Sequence, residues 1–209
     1  TPSAPDSTRL MLRALTGISG GDTLNPQGIV YLNGQMVQGL DVNHTEAYLE
    51  PDTEYDLAIY YYLHDIKAPV FMDIHVALQY TDVYGLYYDI LVPYDALSVL
   101  NTNTQEYFTT LNCLISACNI IDFRAPYSDA FLNSVKDARE CLENEFYKKH
   151  CTTEGKPTVH CIGHTHIDVE WQWTREQTKE KIQRSFSTAK ALMDKYPEEG
   201  AAMLEIAIK

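Results

Sequence analysis

What the chain lacks narrows its reading first. No apolar run approaches the ~20 residues needed to cross a bilayer, so no membrane partner is expected. Cationic residues are scarce: 16 Lys and Arg stand against 29 Asp and Glu, for a formal charge of −13. That balance argues against binding a nucleic-acid backbone, which needs clustered Lys and Arg. No basic stretch followed by an apolar one opens the sequence, so nothing in the first residues marks it for export. Cysteines number five, at 113, 118, 141, 151 and 161. The count is odd and the spacings do not make paired metal-binding clusters, so free thiols in a reducing cytoplasm are expected. Asn43-His44-Thr45 fits a glycosylation sequon that a cytoplasmic chain would leave unused.

What is present is an ordinary globular composition, 45% hydrophobic and 22% charged over 209 residues. Residues 1–28 are punctuated by Gly and Pro and read as loops, with one strand near Leu10 to Leu15. From Gly28 the pattern turns to β. GIVYL and QMVQG flank Asn33-Gly34, a strong hairpin signal. Alternation over Tyr55–Leu63 and Val70–Tyr80 predicts two further strands, and Leu86–Val92, ended by Pro93, a third. Together these predict an antiparallel β-sandwich over residues 1–98.

Residues 99–151 read as a helical connector. Phe108, Leu111, Ile115 and Cys118 recur at helical spacing, with Asn103 and Glu106 as a candidate capping box. Ser128 caps a second helix whose apolar face is Phe131, Val135, Ala138, Leu142 and Phe146. Residues 152–209 begin with a linker and then a strand, a polar loop and a helix. Thr174 and Gln177 form a capping box, Ile182, Phe186, Ala189 and Met193 an apolar face, and Pro197 a stop. This is the opening of a βα unit, in which ligands sit at the carboxyl end of the strand. A lone βα unit cannot cover both faces of its strand, so residues 152–209 start an α/β domain without finishing it. The fold class expected is α+β and multi-domain.

The chemistry concentrates in Thr158–Trp173, TVHCIGHTHIDVEWQW. His164, His166 and Asp168 alternate, so an extended chain projects all three to one side. Imidazoles and a carboxylate so placed suit a divalent cation such as zinc. The alternative is a polar strand end with satisfied hydrogen bonds. Trp171 and Trp173 are either packing residues or a wall of the pocket.

GHTHIDVEWQWT resembles the opening motif of glycoside hydrolase family 38, the zinc-dependent α-mannosidases, through His164, His166, Asp168 and Trp171. NPQGIVYLNGQMVQGLDVNHTE, LYYDI and NIIDFRAPYSDAF are similar to the segments that precede the catalytic domain in bacterial and cytosolic members. The resemblance implies His166 and Asp168 as zinc ligands, Trp171 as the ring that stacks on bound sugar, and His164 as a neighbour of the site. It implies a retaining hydrolase acting on terminal α-linked mannose of oligosaccharides, whose zinc grips sugar hydroxyls. The nucleophile, the acid and the remaining zinc-binding His of that family would fall beyond Lys209, so no catalytic carboxylate is expected within the chain. The rival expectation is a carbohydrate-binding or subunit-interaction β-sandwich without catalysis. Assembly into a homo-oligomer is left open.

Overall fold

A computed structural model describes residues 1–18, 27–41, 43–62, 69–151, 167–170 and 173–197, apart from the side chains of 16–18 and 62. The architecture is α+β, with two small antiparallel sheets and a set of helices. It divides into two compact units. One comprises the described residues of Thr1–Ala4, Arg9–Leu78 and Val159–Lys209; the other comprises those of Pro5–Thr8 and Gln79–Thr158.

In the first unit β1 (Thr8–Ile18) is the central strand of one sheet, between β4 (Glu46–Leu49) and β6 (Val70–Tyr80). The other sheet has β2 (Gln27–Leu32) between β3 (Gln35–Leu40) and β5 (Leu57–Tyr62). β2 and β3 form the expected hairpin. Asn33 and Gly34 both take positive φ, 52° and 74°, as a two-residue turn matched to strand twist requires. The register shifts between Val30 and Tyr31, a bulge that sharpens local twist. Leu10, Leu12 and Ala14 of β1, Val30 and Leu32 of β2, Leu40 of β3 and Ala47 and Leu49 of β4 form one buried cluster, so the two sheets share a core. β6 has the bounds expected of it but not the burial. Phe71, Met72, Ile74, Val76 and Leu78 are all exposed.

Thr81–Leu97 is a helix, α1, which corrects the strand expected over Leu86–Val92. LYYDILV has the β-branched and aromatic content of a strand. Yet Val83, Leu86, Ile90, Pro93 and Leu97 recur at alternating steps of three and four, and all but Pro93 belong to or pack against the apolar core of the second unit. That helical stripe buries more than an isolated strand would, and it overrides residue propensity. Pro93 lies inside the helix and is buried. α2 (Gln105–Ile120) is capped by Thr104, one residue after the expected Asn103; its Oγ1 accepts from the Tyr107 N–H at 3.4 Å. α3 (Asp129–Leu142) is capped by Ser128 as expected; Phe131, Val135, Ala138 and Leu142 of the expected face are buried on it, and Phe146 is buried just beyond its end. The helix continues through a π-helical segment, Glu143–Tyr147, into a last short turn, α4 (Lys148–His150).

α5 (Arg175–Lys195) completes the first unit, packed on β3 and β2. Its buried face is Thr178, Ser187 and Thr188, not the predicted stripe of Ile182, Phe186, Ala189 and Met193; Phe186 is 56% exposed. At Thr188 the helix comes close to Gly39, which has no side chain to hold it off the sheet. Thr188 Oγ1 approaches the Gly39 carbonyl at 3.5 Å. The strand expected before Gly163 lies outside the described residues.

Candidate functional site

Of the four residues singled out, Asp168 is described, while His164, His166 and Trp171 lie outside the described residues. Asp168 is exposed, between half-buried Ile167 and Val169, which is 68% exposed. Two residues on, Glu170 takes φ 57°, the left-handed region that residues other than Gly, Asn and Asp seldom adopt. The chain is held there by the start of α5. The Glu170 N–H donates to Thr178 Oγ1 at 3.2 Å, and that hydroxyl donates to the Thr174 carbonyl at 3.2 Å.

The capping box expected at Thr174 is formed. Thr174 Oγ1 accepts from the Gln177 N–H at 3.3 Å, and Gln177 Oε1 accepts from the Thr174 N–H at 2.7 Å. Glu170 and Thr174 are thus tied to the start of α5 by three hydrogen bonds that involve Thr174, Gln177 and Thr178. Arg175 Nε stands 4.0 Å from Glu170 Oε1, but both groups are well exposed, so this pair adds under ~1 kcal/mol. Spacing in the sequence reveals the Thr174–Gln177 pair. Nothing in residue type or spacing singles out Thr178, which is 3% exposed. Its part shows only when the loop folds back on the helix.

Beyond the cap, Trp173 is half-buried with Lys181 Nζ 4.3 Å from its ring centroid, a cation–π contact. Burial pulls the Lys181 ammonium below its ordinary pKa, and the charge of Arg184 adds to this. Tyr60 on β5 donates to Glu180 Oε1 at 3.0 Å. Arg184 is lowered by burial, an effect opposed by Asp41 and Glu180. Polar side chains thus carry much of the seam between α5 and the β2–β3–β5 sheet.

Among the described residues no group of three His, Cys, Asp or Glu side chains could hold a metal ion. The one described candidate ligand nevertheless fits such a role. Asp168 presents a carboxylate at an exposed position on an anchored turn, the oxygen donor that zinc takes alongside imidazole.

The comparisons with known proteins meet this same segment. Residues 156–207 match the glycosyl hydrolases family 38 N-terminal domain. The chain is also similar to Alpha-mannosidase G of Dictyostelium discoideum, 38% identical over 87 residues, which are 42% of this chain and 7% of that protein. It is 30% identical over 119 residues to Alpha-mannosidase 2C1 of Mus musculus, covering 57% of this chain and 11% of that protein. Against the Alpha-mannosidase of Saccharomyces cerevisiae it is 35% identical over 75 residues, covering 32% of this chain and 7% of that protein. The chain thus spans between 7% and 11% of the length of these relatives. Asp168, its turn and the capped start of α5 all fall inside the matched family segment.

Proposed function

We propose that the chain is the N-terminal part of a retaining α-mannosidase acting on terminal α-linked mannose of oligosaccharides. In this reading residues 1–98 serve as a β-sandwich domain, 99–151 as a connector and 152–209 as the first part of the catalytic domain. The observation that carries the reading is the family 38 match over residues 156–207, with α-mannosidases among the similar proteins. His166 and Asp168 supply two ligands to a zinc ion, Trp171 stacks on the sugar, and His164 lies beside them. When bound, zinc supplies positioning and charge stabilisation for sugar hydroxyls. The exposure of Asp168 and the hydrogen bonds that anchor its turn support this role.

The natural gene product, assayed on an aryl α-mannoside, is expected to release the aglycone. D168A should lower kcat/KM by roughly a hundredfold or more, as loss of a group that stabilises the transition state does. In this reading residues 1–209 hold neither of the two carboxylates of a retaining hydrolase, and alone they are expected to be inactive. Absence of turnover by the gene product, or full activity in D168A, overturns the reading.

A second reading is an interaction module in which the β-sandwich contacts a partner subunit. The apolar run of β6, exposed at Phe71, Met72, Ile74, Val76 and Leu78, favours it. We also infer a cytoplasmic location, supported by free thiols at Cys113, Cys118, Cys141 and Cys151. Glycan attached to Asn43 in the native protein would contradict it.

A further inference from the structure

We propose that Thr178 is a positioning residue for the turn that carries Asp168. Glu170 sits at φ 57°, a conformation that an L-residue with a long side chain leaves unless something holds it. Its own side chain does not hold it, because the carboxylate is exposed and 4.0 Å from a still more exposed Arg175. The hold is on the backbone. Thr178 is 3% exposed, and its hydroxyl hydrogen is committed to the Thr174 carbonyl at 3.2 Å. This back-bond within the helix fixes the hydroxyl rotor. The hydroxyl oxygen remains able to accept, and the Glu170 N–H donates to it at 3.2 Å.

The consequence reaches Asp168, two residues upstream. A left-handed residue reverses the local path of the chain, so the conformation of Glu170 sets the direction in which Val169 and Asp168 run. The capping box orients Thr174 through Gln177, and Thr178 extends the same template by one further bond. The carboxylate of Asp168 is thereby referred to α5, a 21-residue helix, and not to a free loop. Sites built on rigid elements hold their ligands more closely than sites on loops. The role toward a metal rests on the zinc reading above, whereas the role toward the turn does not.

The test compares T178V, T178A and T178S in the whole chain. Valine keeps the volume and removes the hydroxyl, alanine removes both, and serine keeps the hydroxyl. Amide exchange at Glu170, read by NMR, should quicken by about tenfold in T178V and T178A, the loss expected of one hydrogen bond, and stay near wild type in T178S. A Zn2+ titration followed by amide shifts of residues 166–170 should move to about tenfold higher zinc in T178V and T178A, as loss of a ligand-orienting contact does, with T178S again near wild type. Unchanged Glu170 exchange in T178A overturns the proposal. So does faster exchange with an unmoved zinc midpoint, because the turn would then be held without Asp168 being positioned. A wild-type chain whose signals ignore Zn2+ defeats the zinc reading, while the exchange comparison still decides whether Thr178 holds the turn.

Discussion

A Cβ on Gly39 would stand 2.6 Å from Arg184 Cγ and 2.6 Å from the Arg184 carbonyl oxygen. Helix α5 therefore lies on β3 at a separation that only glycine allows. The carbonyl belongs to the helix backbone and cannot swing aside. G39A is expected to lift α5 from the sheet and cost about 1–3 kcal/mol, the range for overpacking a close contact. Urea denaturation followed by far-UV circular dichroism measures it. A variant as stable as wild type would show that α5 yields freely at this point.

In the helical unit, Arg139 of α3 bridges two acids of α1. Its Nε donates to Asp89 Oδ2 at 2.9 Å and its Nη1 to Asp82 Oδ1 at 3.2 Å, while the Tyr147 hydroxyl donates to the Asp89 carbonyl at 2.9 Å. The bond to Asp89 is the main cause that raises the guanidinium pKa. The group is more than a third exposed, so its contribution is modest. R139M should cost about 1 kcal/mol. R139K should recover little of it, because an ammonium cannot reach both carboxylates in the guanidinium's fixed fork. Chemical denaturation of the three proteins side by side tests the order.

These two contacts also mark where the sequence is legible. Asn33-Gly34, Ser128 and Thr174 each announce a local event within four residues, and the structure forms all three. The bounds of β6 are read with equal ease because strict alternation has no helical counterpart. α1 is misread because Leu86–Val92 satisfies a strand by residue type, while the helical stripe from Val83 to Leu97 shows only over a longer window. The buried face of α5 is misread for a different reason. Residue polarity nominates Phe186 and Met193, but the sheet accepts Thr188 where Gly39, far away in sequence, leaves room for it. At the candidate site, Asp168 is legible as a candidate ligand through its alternation with His164 and His166. Thr178 is not, since a threonine inside a helix is unremarkable until a loop amide is brought to it.

The turn between α2 and α3 carries the clearest pH signature. Arg124 donates to Asp122 through its side chain, at 2.8 Å from Nε and 2.6 Å from Nη2, and through its backbone N–H at 3.1 Å. The side-chain bonds, then the backbone one, hold the Asp122 carboxyl down from 3.8 to about 2. The folded value lies below the unfolded one, so the carboxylate's contribution is fully present above about 3.8 and is lost as pH falls through about 2. Carboxyl carbon shifts across an acid titration should place Asp122 near 2, and R124A should return it toward the usual range. An Asp122 that titrates normally in the wild-type chain would mean that the Arg124 contacts do not persist in solution.

Tyr61 offers the opposite kind of test, a substitution that should stabilise. It pairs with Gly28 across β5 and β2, and its ring covers the face of that glycine. The ring packs against the shared core of the two sheets. Among the described residues its buried hydroxyl oxygen has no hydrogen-bond partner, and burial raises the phenol pKa. A buried hydroxyl without a partner carries its desolvation cost uncompensated, about 1 kcal/mol or more. Y61F keeps the ring over Gly28 and removes that cost, so it should raise the unfolding free energy by about 1 kcal/mol. Y61A should lose ring and core contacts together and cost about 3 kcal/mol. Opposite signs for the two variants in urea denaturation are the expected result. A destabilised Y61F would mean that the hydroxyl is hydrogen-bonded in solution.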